Sequence, residues 1–338
     1  RCLEEFDYLV REYNARYISI LDDTFVADTG RLRAFCHGLI DAYQGSQKWY
    51  CEARADTLAR HPDLLPLMVE AGLVRLQLGG ESGDQRILDV YGKGVRLEQV
   101  VSVVEQASSA DLLSVFINFI VGGAFETQKT YERTRDFALD LLRLAPGRAA
   151  VAKSFYTPYP GTPMCIDPDA FGLQVLDRDA VTGKIDVHVF CRTEQLSQDQ
   201  ILALGQDFDT HRDETMRELA LGLPSAPIPR ALIERHFWAE HHWALSTEWH
   251  EFFARDPAMR NYFDAVVRAG ALDLQLAEDR SFAGCYPART VEPLSPTGQE
   301  YAIVGPLGQE QRLDSLESLV YEFSAGKLSF EEILAKIA

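Results

Sequence analysis

The feature that most constrains this chain is a regular alternation between short apolar runs and helical patterns, which continues to about residue 163. The apolar runs predict five strands, at residues 17–25, 48–54, 74–82, 113–122 and 149–157. The helical patterns cover residues 3–13, 31–43, 62–71, 97–110 and 128–144. Short, continuously apolar strands that alternate with helices are typical of a parallel sheet built from βα units. The sequence therefore predicts an α/β fold.

The number of strands indicates how that sheet is completed. Five strands fit an open sheet, but a helix precedes the first of them, which suggests one further strand upstream. With that strand the pattern becomes six βα units, a partial TIM-like (β/α)6 barrel missing its first strand in this chain. We predict this barrel over residues 1–200, a mostly helical, aromatic-rich domain over 201–300, and a small α/β or helical element over 301–338.

Composition narrows the classes of partner. The formal net charge is −18 and the pI is near 4.9, which opposes nucleic-acid binding because that affinity comes largely from neutralising phosphates. No run approaches the roughly 18 apolar residues of a membrane span, and no signal peptide opens the chain. The six cysteines form no C-x-x-C pair, so neither a disulfide framework nor a zinc site is indicated. We expect a cytoplasmic protein without nucleic-acid or membrane partners.

Polar residues follow the predicted strands, at the end where barrel enzymes carry their chemistry. Asp22 and Asp23 follow the first strand and suit either an ammonium group or the cap of the next turn. Glu81 and Ser82 follow two glycines, and a carboxylate beside a hydroxyl suits ribose hydroxyls; a capped glycine-rich turn is the alternative. Gly122 ends the fourth strand beside a second glycine and suits contact with a flat base, or simply a tight turn.

Five motifs follow one another along the chain. They are Asp22-Asp23-Thr24-Phe25, Cys51-Glu52-Ala53-Arg54-Ala55-Asp56, Gly80-Glu81-Ser82-Gly83-Asp84-Gln85-Arg86-Ile87-Leu88, Lys93-Gly94 and Tyr159-Pro160-Gly161-Thr162-Pro163. In this order they resemble the motifs of radical S-adenosylmethionine (radical SAM) enzymes over about residues 1–200. The resemblance is closest to members that carry an upstream cobalamin-binding domain.

The resemblance implies which residues contact S-adenosylmethionine. Asp22 and Asp23 stand where the methionine amino group is bound. The residues implied around the ribose and the methionine carboxylate are Arg54, Glu81, Ser82 and Arg86. Those implied near the adenine are Val121, Gly122, Phe155, Tyr156 and Thr157.

One family motif is missing from this chain. The C-x-x-x-C-x-x-C sequence that binds three irons of a 4Fe–4S cluster is absent, and the first residue is Arg1 rather than Met. Thiolates are the ligands that such clusters need, and the scattered cysteines do not have the required spacing. We therefore expect the cluster ligands and the cobalamin domain to lie upstream, outside this chain, and this chain alone to be inactive.

The resemblance also implies an activity. We expect part of a cobalamin-dependent C-methyltransferase of natural-product or antibiotic biosynthesis, acting on a small-molecule or peptide substrate together with its upstream segment. Other radical SAM chemistry (methylthiolation, cyclisation or rearrangement) is one alternative. A peptide-binding maturation protein is another, because residues 301–338 faintly resemble small peptide-recognition domains. The substrate cannot be read from the sequence.

A histidine-rich and tryptophan-rich stretch lies outside these motifs. His236, His241, His242 and His250 occur within fifteen residues, beside three tryptophans. Metal binding by such histidines is less common than packing or surface roles. We interpret the stretch as the core of the C-terminal domain, with a substrate lid as the alternative, and name no metal ligand.

Overall fold

Five parallel strands, paired in the order of the sequence, organise the N-terminal part of the chain in the computed structural model. The structure describes residues 1–23, 25–176, 188–220, 228–255 and 260, and then 292–297, 300–304, 310–313, 320 and 330–337. Contacts divide the chain into two units, Arg1–Pro229 and Arg230–Ala338. This division differs from the predicted boundary at residue 200, and the predicted roles of the domains stay predictions.

The first unit alternates strands and helices throughout the sheet. The strands are β1 (Tyr17–Ile20), β2 (Lys48–Ala53), β3 (Leu73–Glu81), β4 (Ser114–Val121) and β5 (Ala149–Phe155). The helices are α1 (Cys2–Tyr13), α2 (Thr29–Tyr43), α3 (Ala55–Arg60), α4 (Leu64–Glu70), α5 (Gln85–Val90), α6 (Leu97–Ser109) and α7 (Gln128–Leu144). The predicted α/β class and parallel sheet are confirmed.

A helical turn and a short hairpin follow the sheet. The elements are α8 (Pro163–Ile166), a 3₁₀ turn (Asp169–Phe171), β6 (Leu173–Val175), β7 (Cys191–Thr193) and the long helix α9 (Gln198–Ala220). β6 and β7 pair antiparallel. The long helix α9 belongs to the same unit as the sheet.

One face of the sheet is covered by helices and the other is open. In β4, Val115, Ile117, Phe119 and Val121 are fully buried, and α6, α7 and α9 pack against this strand. The intervening side chains, including Asn118, are only half-buried. Successive side chains of a strand point to opposite faces, so the half-buried set marks the open face.

The first strand is shorter than predicted. The apolar pattern predicts residues 17–25, whereas β1 ends at Ile20. The Phe25 N–H donates to the Asp22 carbonyl and closes a turn. Phe25 is buried and meets the rings of Phe35 and Trp49 edge-on. Burying this one ring among the helices stabilises a turn where the sequence pattern continues the strand.

The second unit contains helices and a small sheet. Its described helices are α10 (Arg230–Trp243), α11 (Glu248–Ala254) and α12 (Phe330–Ile337). Its strands are β8 (Glu292–Thr297), β9 (Glu300–Val304) and β10 (Glu310–Arg312), paired antiparallel in the order β10-β9-β8. The strand β8 lies near the end of residues 201–300, where the sequence analysis predicts a mostly helical domain. More than half of the small element predicted at residues 301–338 lies outside the described residues.

Among the helices of the described residues, none combines the length and the apolar character needed to cross a membrane.

Candidate functional site

Two cavities lie along the open face of the sheet, toward the C-terminal ends of its strands. The larger, of about 670 Å³, is lined by Glu52, Gln77, Glu81, Phe116, Asn118, Ile120, Ala152, Lys153, Ser154, Phe155, Tyr156, Thr157 and Tyr159. The smaller, of about 350 Å³, is lined by Asp23, Glu52, Ala53, Arg54, Ala55, Gln77, Leu78, Gly79, Glu81, Lys93, Val95 and Asn118. Four residues line both, so the two cavities adjoin. This is the end of a parallel sheet where ligands are expected to bind.

Glu81 lies where the two cavities adjoin and has an unusual backbone. Its φ is 57°, in the left-handed region that residues other than glycine rarely adopt. The side chain is buried, and its Oε1 accepts a hydrogen bond of 2.5 Å from Lys93 Nζ. A Cβ on Gly79 would come within 2.3 Å of that oxygen. Gly79 therefore makes room for the Glu81 carboxylate, rather than for the approach of a ligand.

Arg54 and Asp23 complete the charged lining of the smaller cavity. Arg54 Nε donates to Asp56 Oδ1 at 3.0 Å, and its terminal nitrogen donates to the carbonyl of Lys93. These contacts hold the guanidinium beside the Lys93–Glu81 pair. Asp23 is exposed at the rim. Asp22 is also exposed, but it does not line either cavity.

Ser82 and Arg86 are directed away from the cavities. The Ser82 hydroxyl is almost fully buried, lies 3.1 Å from Thr134 Oγ1 on α7, and accepts from the Asp84 N–H. The exposed Arg86 guanidinium donates to Asp84. Asp84 also caps α5 and pairs with Arg133. Hydrogen bonds from Arg86 and Arg133 lower the pKa of Asp84, against the opposing effect of its burial. The structure therefore uses Ser82 and Arg86 to fix the α5–α7 junction.

The residues implied near the adenine divide into two sets. Phe155, Tyr156 and Thr157 line the larger cavity, at the end of β5. Val121 is fully buried, and its carbonyl accepts the Tyr156 N–H at 2.9 Å. Gly122 has a φ of 80°, and a Cβ there would come within 2.7 Å of Ile201 on α9. Neither Val121 nor Gly122 lines the cavities, and it is Val121 that contacts the Phe155–Thr157 segment, through its hydrogen bond with Tyr156.

Glu126 is a buried acid to which the sequence analysis assigns no role. Its Oε2 accepts the Gly122 N–H, and its backbone carbonyl accepts the Thr193 hydroxyl at 2.9 Å. Complete burial raises the pKa of Glu126 to about 8, partly opposed by the Gly122 hydrogen bond. Near neutral pH the group is therefore mostly a protonated acid that fixes the end of β4. Nothing in the local sequence signals this burial.

The sequence analysis also assigns no role to the polar side chains of the open face. Glu52, Gln77 and Asn118 line both cavities, and Ser154 Oγ lies 3.3 Å from Asn118 Oδ1. The apolar runs that contain them predict strands, but do not say which face of the sheet is covered. The signal that could have found them is a single polar residue between two apolar ones of a strand, such as Asn118 between Ile117 and Phe119.

The described cysteines do not form a cluster site. Cys36, Cys51 and Cys191 are buried, Cys165 is half-buried and Cys2 is exposed. Burial raises the pKa of Cys36 and of Cys191 to about 12, so these thiols stay protonated, whereas iron–sulfur clusters need thiolates. The described residues therefore do not fit a 4Fe–4S cluster.

We accordingly expect that residues 1–338, treated with iron and sulfide under reducing conditions, do not assemble a stoichiometric 4Fe–4S cluster. The physical reason is that no described group of thiols combines accessibility with the spacing of cluster ligands. Iron and sulfide analysis with absorbance spectroscopy measures this. A stoichiometric cluster lost on replacing any of the six cysteines of this chain would contradict the expectation.

The histidines of the second unit have packing partners. His236 is fully buried, and its Nδ1 lies 2.8 Å from Thr247 Oγ1. His242 stacks on Trp238, with ring centroids 3.3 Å apart. Desolvation lowers the pKa of His250. Within the part of the chain that the structure describes, no three His, Cys, Asp or Glu residues are grouped to hold a metal ion.

Residues 1–138 match the family model described as the Radical SAM superfamily. An anaerobic magnesium-protoporphyrin IX monomethyl ester cyclase of Cereibacter sphaeroides is 29% identical over 165 residues, covering 48% of this chain and 26% of that protein. A methyltransferase of Pyrococcus horikoshii, named as uncharacterized, is 32% identical over 163 residues, covering 48% of this chain and 33% of that protein. The match thus spans only about a quarter to a third of the length of these curated relatives.

A solved structure shares the fold. The radical SAM methyltransferase TsrM of Kitasatospora setae, determined with cobalamin and a 4Fe–4S cluster bound, superposes with a TM-score of 0.51 at 13% identity. The superposition covers 80% of this chain and 55% of that one. At this identity the likeness concerns the fold alone. The parallel sheet, the ordered motifs at its strand ends and the match over residues 1–138 agree: this part of the chain is similar to the radical SAM superfamily.

Proposed function

We propose that the sheet of this chain binds S-adenosylmethionine, and that the complete protein is a cobalamin-dependent C-methyltransferase of natural-product biosynthesis. The observation that carries the proposal is the convergence of Asp23, Arg54, Glu81 and Lys93 on one cavity at the C-terminal ends of parallel strands. S-adenosylmethionine presents an ammonium, a carboxylate and ribose hydroxyls, and this lining offers partners for all three.

Each residue of the lining has a place in the proposal. Asp23, exposed at the rim, accepts hydrogen bonds from the ammonium group. Arg54, held by Asp56, faces the carboxylate, where a guanidinium gives charge-assisted hydrogen bonds. Glu81 accepts from ribose hydroxyls while Lys93 offsets its charge. Phe155 and Tyr156 supply the apolar wall for the adenine.

A reduced 4Fe–4S cluster would supply the one electron that splits S-adenosylmethionine into methionine and a deoxyadenosyl radical. The described residues do not fit that cluster, so the proposal assigns its ligands and the cobalamin domain to a segment outside this chain. The role of the present residues is to bind and orient S-adenosylmethionine and to keep water away from it.

The binding assignment predicts a loss of cofactor affinity. In the complete protein, Asp23→Ala and Glu81→Ala should each weaken S-adenosylmethionine binding by about 1–3 kcal/mol, the range for losing a hydrogen bond to a charged group. Calorimetric titration measures the change. Asp41→Ala is the matched control, because Asp41 is an exposed acid on α2 that lines neither cavity. Unchanged affinity in both site variants, with melting temperatures preserved, would refute the assignment.

Other radical SAM chemistry remains the second candidate, since one relative is named as a cyclase. Methyl-deuterated S-adenosylmethionine separates the two. C-methylation transfers the label to the product, whereas cyclisation or rearrangement releases deoxyadenosine and leaves the product unlabelled. A peptide-recognition role for residues 301–338 stays a prediction, since much of that segment lies outside the described residues.

A further inference from the structure

Tyr91 lies at the end of α5, between the two sides of the site. It is the C-terminal cap of α5, and Lys93, which pairs with Glu81, follows it by two residues. Its side chain packs against a buried apolar cluster formed by Ala124, Leu173, Phe190 and Cys191. Tyr156, which lines the larger cavity, packs against the same cluster. Tyr91 therefore joins the segment that carries Lys93 to the wall of the larger cavity, although it lines neither cavity itself.

The Tyr91 hydroxyl lies against a glycine of the loop between β4 and α7. A Cβ on Gly123 would come within 1.9 Å of the hydroxyl oxygen and 3.1 Å of the ring carbon Cζ. The backbone of Gly123 lies outside the left-handed region, in contrast to that of Gly122, whose φ is 80°. A side chain at position 123 is therefore excluded mainly by the Tyr91 hydroxyl, and not by backbone strain.

The loop that carries Gly123 is fixed from its other side. The Gly123 carbonyl accepts the Glu126 N–H at 3.2 Å, and the Glu126 carboxyl in turn accepts the Gly122 N–H. The Tyr91 hydroxyl is enclosed by protein: although the side chain as a whole is half-buried, loss of solvent raises the pKa of Tyr91 well above its ordinary value. Because the loop is held by these hydrogen bonds, a methyl group at position 123 would displace Tyr91 instead.

Lys93 depends on Tyr91 for its position. It stands between Gly92 and Gly94, whose φ values are 65° and 63°. Its Nζ pairs with Glu81, and its carbonyl accepts from Arg54. Since glycine has little conformational preference of its own, the place of Lys93 is set by these partners and by the fixed end of α5. A displacement of Tyr91 would therefore reach the charged groups of the smaller cavity.

We propose that Tyr91 is a positioning residue for S-adenosylmethionine. Its hydroxyl, seated against Gly123, sets the distance between the Lys93–Glu81 pair and the cavity wall that contains Tyr156. Tyr91 and Gly123 form a matched pair, in which one side chain occupies the volume that the other residue leaves free. The proposal rests on the proposed function, because it takes the two cavities as the space that binds the ribose and the adenine of S-adenosylmethionine.

The test measures the affinity of the complete protein for S-adenosylhomocysteine and for adenosine by calorimetric titration. Gly123→Ala should weaken the binding of both about tenfold, the effect of losing one hydrogen bond to a charged group, because both ligands carry the ribose assigned to Glu81. Adding Tyr91→Phe to Gly123→Ala removes the hydroxyl that blocks the new methyl group. The double variant should therefore bind both ligands within about threefold of the wild type, a non-additive result typical of residues in contact. Gly30→Ala is the matched control, since Gly30 is exposed on α2 and a Cβ there would meet only Asp28, at 3.4 Å.

A further variant keeps the test decisive if Gly123→Ala does not fold. Tyr91→Ala removes the anchor without adding volume at position 123, and should give the same loss of about tenfold in both affinities. Unchanged affinities in Gly123→Ala and Tyr91→Ala, even with lowered melting temperatures, would show a purely structural role and overturn the proposal. A double variant that binds no better than Gly123→Ala would overturn it as well. A wild type that binds neither ligand would refute the proposed function itself, which the other outcomes leave standing.

Discussion

Replacing Trp49 by alanine should destabilise the first unit by about 4 kcal/mol, within the range for removing a large buried aromatic ring. Trp49 is fully buried. Its ring meets Phe35 and Phe25 edge-on, with centroids 5.6 and 6.2 Å away. Its indole N–H donates to the Ala71 carbonyl at 3.0 Å. The substitution therefore opens a cavity between β2 and α2, and also leaves a buried carbonyl without its donor.

Urea unfolding followed by far-UV circular dichroism measures this loss as a lower midpoint. Trp49→Phe is the control. It keeps a ring in the aromatic cluster but removes the N–H, and should cost less than half as much. Trp49 is the only one of the four tryptophans that lies in the first unit. Equal midpoints for the alanine variant and the wild type would contradict the packing described for this cluster.

The second large effect is a pH dependence that arises from Glu126. Burial raises its pKa to about 8 in the folded state, from an ordinary value of 4.5. Between these values the unfolded chain has already lost the proton that the folded chain retains. Stability therefore falls as pH rises through this window. The full change is on the order of 5 kcal/mol, since each pKa unit corresponds to about 1.4 kcal/mol and the pKa shift is about 3.5.

Glu126→Gln tests this dependence, because the amide oxygen can still accept the Gly122 N–H while the titrating proton is gone. The difference in unfolding free energy between wild type and variant should move in favour of the variant as pH rises from about 4.5 to about 8. Tyr91, whose pKa is raised mainly by burial and also by Glu126, titrates above this window. Parallel pH profiles for the two proteins would show that Glu126 is not held as a buried acid.

The sheet could be predicted from the sequence because its signals are local. The helix predicted at residues 128–144 is α7 residue for residue, since its apolar positions repeat with the helical period over several turns. The short helix α3 has only six residues, too few for such a period to be recognised. The predicted end of β1 at residue 25 was also wrong. Where the strand ends depends on the burial of Phe25 against residues that are distant in the sequence.

Only the part of the site formed by residues at the C-terminal ends of strands could be predicted from the sequence. Glu81 and Arg54 line the cavity because they close neighbouring parallel strands, which the sequence pattern already implies. Ser82 is adjacent to Glu81, yet its hydroxyl bonds Thr134 on α7. That contact joins residues far apart in the chain, so no local pattern reveals it. The sequence analysis includes Lys93, the partner of Glu81, in a motif but does not predict its contact with Glu81.

The backbone of Glu81 has a consequence for anyone who would make this protein more heat-resistant. A residue with a side chain at a φ of 57° costs roughly 1–2 kcal/mol relative to glycine, which adopts this conformation freely. Selection for thermal tolerance alone would thus favour replacing Glu81, and it would do so by discarding the carboxylate at the junction of the two cavities. Variants enriched by heat challenge should be sequenced first at this codon.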